Sequence, residues 1–164
     1  MKMQVVNHLN EDLWRAFVEN HPQGNIFHTP EMFQVFSKAR KHTPTLWATT
    51  TPGGEVLALL LPVEITILNG LLRSFTTRAV VYGSVLCDES PEGREALALL
   101  LRTYAQENKN RLLFTELRNP DLIKGRCGIC EYRDVCGGQR GRAYGITGDY
   151  LETDPACSYI PKGA

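Results

Sequence analysis

The sequence predicts an α+β fold, in which a mostly antiparallel sheet is packed by helices and followed by a small, irregular, cysteine-rich metal-binding arm. Three observations carry this. Apolar residues recur at helical spacing over Glu11–Asn20, from Pro30, and again over Pro91–Glu107. From Thr43 to Leu117 the intervening segments alternate with period two or run apolar, and Gly, Pro and Asn punctuate them. Four of the five cysteines fall within the last quarter of the chain, where aliphatic residues thin out and glycine becomes frequent.

Composition bounds the function. The 164 residues allow one ordinary domain, or one small domain with an appendage. A 43% hydrophobic and 22% charged sequence is that of a soluble globular protein. Eighteen basic residues balance eighteen acidic ones, so no basic excess supports binding to nucleic acid. The apolar run Val56–Val63 is far shorter than the roughly 18–20 residues that span a bilayer. The first residues lack the apolar core and small-residue cleavage site of a secretory signal. A cytoplasmic protein is expected, and in that setting clustered thiols read as ligands rather than disulfides.

In chain order, Asn10 is placed to cap a helix over Glu11–Asn20 with Leu13, Trp14, Phe17 and Val18 as its apolar stripe. Thr29 and Pro30 start a second helix as N-cap and first helical residue, with Met32, Phe33, Val35, Phe36 and Ala39 expected on the buried face. Thr45–Thr50 reads as a strand, Thr51–Gly54 as a hairpin turn, and Glu55–Thr66 as a long apolar strand in which Pro62 marks a bulge or an edge. Asn69-Gly70 reads as a second turn, Leu71–Tyr82 as a third strand broken near Thr77, and Arg111–Leu117 as a last short strand after the helix that begins at Ser90-Pro91. A composition shift at Arg118–Asp121 places a boundary there, giving an α+β domain over 1–119 and an arm over 120–164.

The arm reads Cys127-x2-Cys130-x5-Cys136-x20-Cys157. A segment this short buries too little apolar surface to fold alone, and in a reducing compartment a metal centre is the remaining staple. Thiolates suit both zinc and iron–sulfur clusters. Zinc sites usually draw on two close pairs, whereas one pair followed by two single cysteines favours an iron–sulfur centre; zinc stays as the alternative. Gly128, Gly137 and Gly138 would let backbone amides approach sulfur.

The run Gly125-Arg-Cys127-Gly-Ile-Cys130-Glu-Tyr-Arg-Asp-Val-Cys136-Gly-Gly, with Arg140-Gly-Arg142-Ala-Tyr144, Gly148-Asp149-Tyr150 and Asp154-Pro155-Ala-Cys157, resembles the SPASM or twitch-type tail of radical SAM enzymes of haem-like cofactor biosynthesis. The resemblance implies an auxiliary 4Fe–4S cluster held by Cys127, Cys130, Cys136 and Cys157. Two positions depart from the pattern: Gln139, where some relatives carry a further cysteine, and Gly141 between the two arginines. The CX3CX2C motif that holds the cluster cleaving S-adenosylmethionine is not among these residues, since the only cysteine before Cys127 is Cys87.

The phrases Trp14-x-x-Phe17-Val18, His21-Pro22-x-Gly24-Asn-Ile-Phe27-His28-Thr29-Pro30, Val56–Val63, Tyr82-Gly83 and Thr115-Glu116-Leu117-Arg118-Asn119 resemble the first half of FemAB and related GNAT-like transferases. That resemblance implies a GNAT-like half domain and acyl or aminoacyl transfer in cell-wall or polysaccharide biosynthesis. Taken as residues, His28 reads as a hydrogen-bonded structural group beside a cap, Trp14, Trp47 and Cys87 as core, and Glu116 and Arg118 as solvated or paired strand-end charges. No catalytic set stands out. The function expected first is a cluster-binding protein in electron transfer, or in anchoring a protein partner or its substrate. A transferase fragment and a zinc-stapled interaction module are the alternatives.

Overall fold

A computed structural model describes residues 3–67, 76–118 and 122–162. The chain forms two compact units, Met1–Leu117 and Arg118–Ala164. Among the described residues no helix is long and apolar enough to cross a membrane.

The first unit is a mixed α+β fold. Strands β1 (Gln4–Val6), β3 (Trp47–Thr50), β4 (Val56–Leu60) and β7 (Val85–Cys87) form one antiparallel sheet in the order β1-β3-β4-β7. Strands β2 (His42–Pro44), β5 (Val63–Thr66), β6 (Thr77–Val81) and β8 (Thr115–Leu117) form a second in the order β2-β5-β6-β8, where β6 and β8 run parallel. The single long strand expected over Glu55–Thr66 is therefore two strands in two sheets. The break falls at Pro62, which has no N–H to continue a ladder. Its carbonyl accepts the Thr45 N–H at 2.8 Å, which holds the facing chain as it too passes from β2 to β3.

Helix α1 (Glu11–Asn20) starts where Asn10 accepts the N–H groups of Asp12 and Leu13, and α2 (Pro30–Lys38) where the Thr29 hydroxyl accepts that of Met32. Helix α3 (Pro91–Asn108) starts where the Ser90 hydroxyl accepts the N–H of Gly93. Trp14 and Val18 of α1 pack with Leu9, Leu46, Ala48, Leu59, Leu61 and Leu86 on one side of the first sheet. Ala96, Leu100 and Tyr104 of α3 pack with Trp47, Ala58, Leu60 and Val81 on the other. A register shift between Thr49 and Thr50 returns Val56 to the same side as Leu59. Strand β4 is thus buried on both faces, which is why it reads as an unbroken apolar run.

Other expectations are adjusted. Leu13 and Val35 are exposed, although their spacing put them in apolar stripes. In α1 Trp14 and Val18 are buried and Phe17 packs half-buried against the same core; in α2 Pro30 is buried, Phe33 packs against that core, and Met32, Phe36 and Ala39 are half-buried. Arg111 and Leu112 fold back onto the Asn108 carbonyl, so the last strand begins only at Thr115. The Asn69-Gly70 turn and the start of the Leu71–Tyr82 strand lie outside the described residues. Strands β1, β2 and β7 are three residues each, too short to leave a period in the sequence.

Candidate metal centre

The second unit is built from short pieces. Two single helical turns, α4 (Gly125–Gly128) and α5 (Arg133–Cys136), are followed by a longer helix, α6 (Arg140–Thr147). Cys127 lies in α4, Cys130 just after it, Cys136 at the end of α5, and Cys157 in the closing loop. Gly125 sits at φ +56°, where a Cβ would meet the Thr153 hydroxyl at 2.2 Å, so only glycine brings α4 this close to the loop. The Lys124 N–H donates to the Leu151 carbonyl at 2.8 Å, and the Lys124 ammonium pairs with Asp149 at 2.8 Å.

The residue on which these pieces converge is Asp154. Its carboxylate is 3% exposed and takes a fork from Arg142, Nε to Oδ1 at 2.7 Å and Nη2 to Oδ2 at 2.6 Å. The N–H groups of Gln139 and Ala156 donate to the same carboxylate at 3.0 and 3.1 Å. The Arg142 guanidinium, aided by those two amides, holds the Asp154 carboxyl well below the usual carboxylate range. Gln139, one of the two departures from the pattern that the arm resembles, caps α6 by accepting the Arg142 N–H with its side chain. The Tyr159 hydroxyl donates to Glu131, which raises the phenol above its ordinary value.

All five cysteines are free thiols. Cys127, Cys130 and Cys157 line one small cavity of about 20 Å³, together with Arg126, Thr153, Tyr159 and Pro161. Cys136 is exposed and is not part of that lining. Among the described residues, no three His, Cys, Asp or Glu side chains are grouped so as to hold a metal ion. The donors have the soft chemistry that zinc or an iron–sulfur cluster takes, but the cavity is of the order of one or two waters. The residues fit such a centre by donor type and not by arrangement, and no chemical step is derived through it. Among the described residues, the amide that reaches a cysteine sulfur is that of Asp154, 3.4 Å from Cys127 Sγ. Gly128 serves a different close approach, since a Cβ there would lie 2.1 Å from the Ile123 carbonyl.

Asp154 and Arg142 stand in the motif that carries the resemblance, but the sequence assigns neither a role of its own. The signal for them was present: a carboxylate and an arginine in a segment with too few aliphatics to form a core.

In the first unit the candidate polar residues are absorbed by structure. His28 is 1% exposed, and its Nδ1 accepts the Asn25 N–H at 3.3 Å. Its carbonyl accepts the Trp14 indole N–H at 2.6 Å. Cys87 is half-buried at the end of β7, and burial raises its thiol. A groove of about 510 Å³ runs past Leu13, Phe17, His21, Glu55 and Asp88. There the His21 ring is held between the Gln23 N–H at 3.1 Å and the Cys87 carbonyl at 2.9 Å.

No family model matches the chain. Over 53 residues, 32% of its length, it is 57% identical to an AdoMet-dependent heme synthase of Methanosarcina barkeri. Over 49 residues it is 47% identical to an AdoMet-dependent heme synthase of Nitratidesulfovibrio vulgaris. These matches span only 15% and 13% of the relatives. The chain therefore shares a local, distant homology with enzymes of the AdoMet radical superfamily. A solved transcriptional regulator from Bacillus halodurans covers 73% of this chain and 86% of its own, at 14% identity and a TM-score of 0.48, a likeness too loose to define a common fold.

Proposed function

We propose that this is an iron–sulfur protein whose arm, residues 120–164, holds a 4Fe–4S cluster through Cys127, Cys130, Cys136 and Cys157, for electron transfer or to anchor a partner or its substrate in a reducing, cytoplasmic setting. The observation that carries the reading is that Cys157, 27 residues beyond Cys130 in the sequence, lines one cavity with Cys127 and Cys130. Local homology to AdoMet-dependent heme synthases supports it, over a length comparable with the arm. The arm is on this reading SPASM-like, and Cys136 joins the other three only as the centre assembles. Without a CX3CX2C motif in its 164 residues, the chain is assigned no cleavage of S-adenosylmethionine of its own. Residues 1–119 are on the same reading an incomplete FemAB/GNAT-like domain; the alternative, a transferase fragment, would register as donor-dependent product on a cell-wall acceptor, and none is expected.

Anaerobic purification and reconstitution test the cluster directly. The expected product is brown, with about four irons and four sulfides per chain, and loses its chromophore in Cys130→Ala but keeps it in Cys87→Ala. A colourless protein containing zinc and no sulfide would establish the zinc-stapled alternative instead.

A further inference from the structure

Four residues of the described arm are buried, namely Cys127, Ala143, Asp154 and Pro161, and one of them is a carboxylate. A carboxylate has about four lone-pair directions, and in Asp154 four N–H donors address them: two from Arg142, one from Gln139 and one from Ala156. The backbone of the same residue then reaches in both directions. Its N–H donates to the Cys127 sulfur at 3.4 Å, and its carbonyl accepts the Cys157 N–H at 3.1 Å. A single residue thus joins α4, the start of α6 and the closing loop, and it touches both buried-side cysteines that are thirty residues apart in sequence.

We infer that Asp154, locked by Arg142, is the positioning residue of the thiol pocket, fixing Cys127 and Cys157 relative to each other before any metal arrives. What the pocket receives rests on the cluster reading above; the latch is a property of the metal-free chain. Its physical basis is the bidentate arginine–carboxylate pair, which fixes orientation as well as distance, in a unit that has almost no apolar core to do so. A pocket set in advance loses less conformational freedom when it is loaded. Replacing the carboxylate by an amide removes the charge and turns one acceptor into a donor facing donors. Replacing Arg142 by lysine keeps the charge and loses the fork.

Thiol alkylation followed by mass spectrometry on the reduced, chelator-treated full chain reads the latch without metal. In the wild type Cys127 is expected to react about tenfold or more slowly than exposed Cys136. Asp154→Asn should speed Cys127 and Cys157 to within about threefold of Cys136, with Arg142→Lys intermediate and Cys130, which lies outside the latch, within twofold of its wild-type rate. Unchanged fluorescence of Trp14 and Trp47 would show the first unit intact. Unaltered rates at Cys127 and Cys157 in both variants overturn the inference, and so does an equal rise at Cys127, Cys130 and Cys157, which would mean general loosening. A wild-type chain that takes no cluster overturns the cluster reading and leaves this result standing.

Discussion

The two units solve the same problem by opposite means. In Met1–Leu117, Leu59, Leu60, Leu86 and Leu100 are fully buried, and a sheet is covered on one side by α1 and on the other by α3. In Arg118–Ala164, Ile129, Tyr144, Ile146 and Ile160 are exposed, and the organising contact is the Arg142–Asp154 fork. Hydrophobic burial offsets backbone ordering only when enough apolar surface leaves water, which a unit of this size does not manage. The contrast teaches that the first unit owes its stability to its core. The second has its local geometry set by polar bonds.

If the proposed cluster is present, the strongest way to break that comparison is to withdraw it. On the cluster reading, chelation of the loaded protein is expected to lower amide-exchange protection across the second unit, because binding energy there adds to folding energy, while the latch amides of Gln139, Ala156 and Cys157 keep theirs. Protection of β4 and α3 should stay as it was. The converse experiment is Leu100→Ala. Leu100 is 0% exposed between α3 and the first sheet, so the truncation should cost about 2–5 kcal/mol, read by urea unfolding followed through Trp47. Thiol reactivity of Cys127 in folded molecules should be unmoved.

What the sequence disclosed follows the same division. The three principal helices and their caps at Asn10, Thr29 and Ser90 were readable because a cap is a local event, complete within four residues. The burial of Trp14 and Trp47 was readable from period and size. The split of Glu55–Thr66 into two sheets was not, since Pro62 announces a break but not which partner each half takes; pairing is long-range. Nor was Val35 readable as exposed, because the spacing of α2 does not state how much of its stripe the sheets cover. In the arm, the thiol spacing singled out four cysteines, and the structure brings three of them to one cavity. Asp154 escaped because its importance lies in converging bonds from positions 139, 142 and 156, which no motif length reveals.

A titration sharpens the comparison from the side of the first unit. Burial pushes His28 down to about 4, from an ordinary 6.5. Its surroundings explain the direction. Nδ1 already faces the Asn25 N–H, so a second ring proton would place donor against donor. Nε2 has no partner of good geometry, although the backbone of Gly83 and Ser84 lies close enough to favour the charged form slightly, and His21 opposes it. The unfolded chain takes up a proton between pH 6.5 and 4 that the folded chain refuses. The stabilisation from a neutral His28 is therefore complete above pH 6.5 and lost as pH falls toward 4, by about 3 kcal/mol in all. Urea midpoints measured across that range should fall with acid, and His28→Gln should remove most of the slope.

The smallest effect expected concerns a cap on the same face of the first unit. The Thr29 hydroxyl serves twice: it accepts the Met32 N–H at 3.2 Å and donates to the Ile26 carbonyl at 2.8 Å, joining the 3-10 turn Ile26–His28 to α2. Thr29→Ala leaves one helix-end N–H without its side-chain acceptor, which costs about 1 kcal/mol. Thr29→Ser keeps both bonds and should recover nearly all of it. Pro30 still supplies the first helical residue in either variant, so α2 is shortened or frayed rather than lost. If Thr29→Ala proved as damaging as Leu100→Ala, the first unit would depend on its local bonds as heavily as the arm does, and the division between a core-held unit and a bond-held one would fail.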